Sequence, residues 1–70
     1  MNIKMLPDGR MRASDAAIYL GISYHSLAQH RTRGTGPLFV KIGRIFYFKS
    51  DLDSWLNDHR KKQTEQRGEQ

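Results

Sequence analysis

The sequence predicts a small α+β domain whose elements run helix, tight turn, helix, β-hairpin, helix. Three observations predict it. Gly21, a natural helix stop, is followed within two residues by Ser23, a natural helix start. Two runs rich in β-branched and aromatic residues, 38–42 and 45–48, flank Gly43-Arg44. Leu52, Trp55 and Leu56 then recur at i, i+3, i+4, the stripe of an amphipathic helix.

Taken in order, residues 1–10 carry the turn signal Pro7-Asp8-Gly9 and too few apolar groups for an element, so they read as an N-terminal arm. Ser14 is the expected N-cap of the first helix, with Asp15 complementing its dipole and Ala17, Ile18 and Leu20 as its apolar residues. Gly21 ends it. Ser23 caps a second helix from Tyr24 to about Arg33, stopped by Gly34 and Gly36, with Pro37 barring continuation. The hairpin follows, with Gly43-Arg44 as its turn. Ser50-Asp51-Leu52-Asp53 reads as a capping-box variant opening the third helix, with Trp55 as the main core aromatic. Residues 60–70 hold no apolar side chain and can only prolong a solvated helix or stay disordered, so they read as a polar tail. The working domain is 11–59.

Seventy residues make one small domain with a modest core, and with no cysteine there is no disulfide to staple it. The formal net charge is +5. Its distribution says more than its size. No acid lies between Asp15 and Asp51, and Arg31, Arg33, Lys41, Arg44 and Lys49 all fall in that interval. A basic centre with acidic flanks suits a surface facing a polyanion.

Helix, short turn and capped second helix form a helix-turn-helix. Ala17 is small enough for the helices to cross closely, and Ile22 and Leu27 fill the angle between them. With the hairpin as a wing, the expected fold is a winged helix-turn-helix. The stretches DAAIYLGIS at 15–23, GPLFVKIGRIFYF at 36–48 and SDLDSWL at 50–56 resemble the excisionase-type, MerR-like winged-helix family of phage and mobile-element proteins. The resemblance implies a recombination directionality factor. Such a factor binds double-stranded DNA near attachment sites and bends it. It thereby directs a tyrosine or serine integrase toward DNA excision of a mobile element such as a prophage. So small a module reads only a few base pairs, so neighbouring copies of itself on the DNA are expected as further partners. Relatives that act in transcription regulation make a small regulator of phage or mobile-element genes the first alternative. Where the family's second wing strand commonly carries Arg, this chain has Phe46 and Phe48. The wing's phosphate contacts are thus left to Arg44, Lys41 and Lys49.

With Leu27 facing inward, Tyr24, His25, Ala28, Gln29 and Thr32 fall on the outer face of the second helix, where a recognition helix meets base edges. Gln29 can bond adenine through N6 and N7, and Ala28 can touch a thymine methyl. Backbone contacts are expected from Ser23, Arg31, Arg33, Lys41, Arg44 and Lys49, with Arg60, Lys61 and Lys62 adding to them from the tail. Tyr19 and Tyr47 read as core or rim aromatics, and His30 as a packed seam residue.

Ser26 and His30 stand i, i+4, but no acid in this stretch can orient the histidine, so no enzyme is expected. Three scattered histidines without cysteine suggest no metal, and no cofactor is expected. No apolar run approaches the roughly 20 residues of a membrane span. A cytoplasmic protein at the bacterial or phage-associated nucleoid is expected. From another class, the rival is a protein-interaction module such as an anti-repressor, docking through Phe39, Phe46 and Phe48.

Overall fold

A computed structural model describes residues 2–68, with side chains described through residue 60. Chain order is β1 (Arg10–Arg12), α1 (Ala13–Leu20), α2 (Tyr24–Arg33), β2 (Val40–Ile42), β3 (Arg44–Phe48) and α3 (Lys49–Gly68). Among the described residues, three helices pack with one antiparallel sheet of order β1-β3-β2, a small winged-helix-like α+β fold. None of these helices is long and apolar enough to cross a membrane.

The sheet holds a strand that sequence reading does not provide. The Pro7-Asp8-Gly9 turn closes with Gly9 N–H donating to Leu6 C=O at 2.9 Å, and Asp8 accepts from the Arg10 amide at 3.1 Å. The chain then runs as β1 along β3, with Arg10 opposite Phe48, Met11 opposite Tyr47 and Arg12 opposite Phe46. Alternation sends Met11 and Tyr47 to the core face, where each is almost fully buried. The arm is therefore part of the fold from Arg10 onward, and Ile3 also packs against the core.

Two expected caps are corrected. Helix α1 begins at Ala13, its N-cap is Arg12, and no side chain caps it; Ser14 lies one residue inside. Helix α3 begins at Lys49, so Ser50 is helical and Asp53 turns to other partners. Each helix follows a strand with no residue between. The β1–β3 pairing thus fixes where each helix enters, and local cap chemistry has no freedom to choose.

Between α1 and α2 the chain is free of strands, and there local chemistry decides. Gly21 takes the left-handed conformation (φ 76°), and its N–H reaches Ala17 C=O at 2.9 Å. Ser23 Oγ accepts from the Ser26 amide at 3.0 Å, and Gly34 ends α2. Gly36 acts differently from the stop read in the sequence. A Cβ there would lie 2.9 Å from His30 Cβ, so glycine lets the loop close against α2.

The core is Met11, Ala13, Ala16, Ala17, Leu27, Tyr47 and Leu52. Tyr47, with no exposed surface, is its aromatic. Trp55 is not: it is half-buried, donates its indole N–H to Thr35 C=O at 3.0 Å, and meets His30 edge-on at 5.4 Å. The first hairpin run is shorter than expected, leaving Leu38 and Phe39 ahead of β2. Arg44 is already in β3, paired with Ile42 across Gly43. The backbone of 60–68 continues α3, and Glu69 and Gln70 lie outside the described residues.

Candidate nucleic-acid interface

Helix α2 is held by one buried side chain. Leu27 has no exposed surface, and with Ser23 capping the first turn this sets the helix's rotation. Tyr24, His25, Gln29 and Thr32 are accordingly exposed and Ala28 is half-buried. His25, Ala28, Gln29 and Thr32 line one shallow concavity together with Arg33. Thr32 spends its hydroxyl proton on Ala28 C=O at 3.1 Å, so toward a partner it can only accept. His25, Gln29 and Arg33 are the donors of this face.

Tyr24 stands apart from those four. It lines a second cleft with Arg12, Ala13, Ser14, Arg44 and Ile45, where the start of α2 faces the wing. Arg12 is the residue that sequence reading missed. The signal was present as the alternation Arg10-Met11-Arg12, charged, apolar, charged, which is the pattern of a half-buried strand.

The expected backbone cations divide into exposed and internally engaged groups. Arg33, Lys41 and Arg44 are exposed. Arg44 and Ile45 are neighbours on β3, and Lys41 pairs with Ile45, so Lys41 and Arg44 leave the hairpin on opposite faces. Arg31 is half-buried, donates to Tyr47 Oη at 3.2 Å, and lies 6.0 Å from the Phe39 ring centre. Its guanidinium holds the loop and β3 against α2. Lys49 opens α3 and pairs with Asp53 at 2.9 Å. The hydrogen bond to Asp53 raises the Lys49 pKa above its ordinary value. Ser23 spends its oxygen on the cap. The side chains of Lys61 and Lys62 lie outside the described residues.

Among the described residues, no acid lines the α2 concavity. Asp8 is tied to Arg10 at 2.8 Å, and Asp53 accepts from both Tyr19 and Lys49. Ser26 and His30 do not engage each other: Ser26 takes the Ser23 hydroxyl, and His30 Nδ1 meets Thr35 Oγ1 at 2.8 Å. No three potential metal ligands stand together among the described residues. Phe46 and Phe48 are half-buried, and Arg10 stacks on the Phe46 ring at 5.2 Å, so neither is the exposed wing aromatic that the sequence suggests. The exposed apolar groups near the wing are Leu38, Phe39 and Ile42. No protein-family model and no curated protein matches this sequence.

Proposed function

We propose that this chain binds double-stranded DNA with α2 in the major groove and the β2–β3 hairpin against the backbone. In this reading it is an excisionase-like accessory factor. Several copies bind side by side, bend the duplex and direct a tyrosine or serine integrase toward excision of a mobile element, in the cytoplasm at the nucleoid. One observation carries it: the exposed, acid-free face of α2, where His25, Ala28, Gln29 and Thr32 surround one concavity beside Arg33. An α-helix with its side chains is about 10–12 Å across, and the major groove is about 12 Å wide. Such a face presents donors and a methyl group at the depth where base edges differ.

Footprinting on the DNA flanking its own gene, including any attachment site, tests the reading. Protection with altered mobility in circular-permutation gel shifts supports the accessory factor. Protection of a promoter alone, without bending, would favour the small transcription regulator. The interaction-module reading is favoured by the exposure of Leu38 (72%), Ile42 (60%) and Phe39 (41%). It predicts a protein partner and no shift of any duplex.

A further inference from the structure

A second set of cations gathers away from the α2 face. In the β1–β3 pair Arg12 is opposite Phe46, and Arg44 stands two residues along β3. The two arginines therefore share a sheet face as diagonal neighbours, about 7–8 Å apart at the backbone. Both are exposed, and neither has an ion-pair partner among the described residues. Arg10, on the same face, differs: Asp8 and the Phe46 ring hold it. Between Arg12, Arg44 and the start of α2 lies the cleft that Ala13, Ser14, Tyr24 and Ile45 complete. No acid lines it. Asp15 lines a neighbouring groove that Arg12 also borders, and forms no ion pair with it.

In the free protein this arrangement is electrostatically unfavourable. Diagonal strand positions are within reach of long side chains, and two like charges that close repel. Arg12 is also the N-cap of α1, which sets a cation at the positive end of the helix, and its side chain makes no capping bond. An anion in the cleft would attract both guanidinium groups and the N-terminal end of α1, offsetting these repulsions. The polar groups around it are suited to tetrahedral oxygens: two guanidinium forks, the Tyr24 phenol and the Ser14 hydroxyl. We propose that this cleft seats one backbone phosphate of duplex DNA, gripped jointly by Arg12 at the start of α1 and Arg44 on the wing. The inference rests on the DNA-binding reading above and adds a contact that precedes both helices of the helix-turn-helix. A phosphate held there ties the wing to the start of α2, and so fixes the register in which His25 and Gln29 meet the bases.

The test uses the full chain and a duplex site selected from a randomised library, with single neutral methylphosphonates placed at successive positions. For the unmodified protein, one position should weaken binding about tenfold, the scale of a charge-assisted hydrogen bond. In R12A and in R44A that same position should become insensitive. Each variant should also have a salt slope shallower by roughly 0.9, and the double variant should lose no more than that, because a single phosphate is shared. Arg12→Gln serves as a second variant with the strand's polarity kept, and the scan on unmodified protein alters no residue. The proposal is overturned if R12A keeps the full pattern of sensitivity, or if Arg12 and Arg44 erase different positions. It also falls if inorganic phosphate shifts both guanidinium NMR signals while no duplex position is sensitive. Should the protein bind duplex with a Gln29-dependent preference and R12A behave as wild type, only the clamp falls. Should it bind no duplex at all, the DNA reading falls with it.

Discussion

Gln29 and Arg44 are both exposed, and the proposed DNA-binding role gives them different tasks. Gln29 shares the α2 concavity with His25 and Ala28, and an amide there can discriminate base edges. Gln29→Ala should relax preference at one position of the site by about 1–3 kcal/mol and leave nonspecific binding nearly unchanged. Selection from a randomised library measures it; an intact preference would mean that Gln29 faces away from the bases. Arg44 lies in the wing cleft, among groups suited to phosphate oxygens. Arg44→Ala should weaken binding to all sequences alike and make the salt slope shallower by roughly 0.9. A loss confined to one base pair, at unchanged slope, would make Arg44 a base reader instead. Position on a helix is legible in sequence, because Leu27, with the Ser23 cap, sets which residues of α2 face out. The partner of an arginine is not. Arg31 and Arg33 look alike in sequence, yet Tyr47 and Phe39, on the chain segments after α2, engage only the first.

At the scale of elements, the same contrast between local and long-range control separates the caps. Gly21 and Ser23 act as their sequence suggests because no strand abuts them, whereas Ser14 and Ser50 lose their expected roles to the β1–β3 pairing. Ser23→Ala should therefore cost about 1 kcal/mol in urea unfolding, and Ser14→Ala much less. The displaced capping residue Asp53 gains a different task. It accepts from Tyr19 and from Lys49 at 2.9 Å, joining α1 to α3. The Tyr19 hydrogen bond, then that of Lys49, lowers the Asp53 pKa below its ordinary 3.8. Asp53 raises the Tyr19 pKa above 10.0, mainly through the same hydrogen bond. The signs follow from linkage. The Asp53 contribution is complete above the unfolded value and is lost as pH falls through the lower folded one. The Tyr19 contribution is complete below its unfolded value and is lost as pH rises through the higher folded one. Tyr19→Phe should bring the Asp53 pKa, read by carboxyl NMR, back toward 3.8 and flatten the acid limb of the stability curve. An unmoved Asp53 would show that Lys49 alone sets it.

The whole molecule is small, and if it binds DNA as proposed, its size limits how specific one copy can be. β1, absent from any sequence reading that looks for long apolar runs, supplies Met11 to the core and makes β3 a central strand. That placement explains why Tyr47, on the strand paired at both edges, is buried while Trp55 stays at the rim. It also covers Phe46 and Phe48, leaving Leu38, Phe39 and Ile42 as the exposed apolar groups near the wing. A single module of this kind buries on the order of 600–1,000 Å² on DNA and reads only a few base pairs. One copy is too little to mark one locus among a genome's competing sites. Copies on adjacent sites, each strengthening the next through contacts between neighbours, would supply the missing specificity. Near the wing, Leu38, Phe39 and Ile42, rather than the half-buried Phe46 and Phe48, have apolar area to spare for such contacts. Successive copies following the groove would curve the duplex, at about 1–6 kcal/mol for a site of a few turns, offset by the added contacts. The protein should then be a monomer by ultracentrifugation, bind tandem sites cooperatively, and alter circular-permutation mobility. Leu38→Ser with Ile42→Ser should abolish cooperativity while single-site affinity stays within about twofold, since surface substitutions of this kind change little else. A tight dimer without DNA, or independent binding to each site with unaltered mobility, would exclude the architectural role and leave a simple regulator ahead.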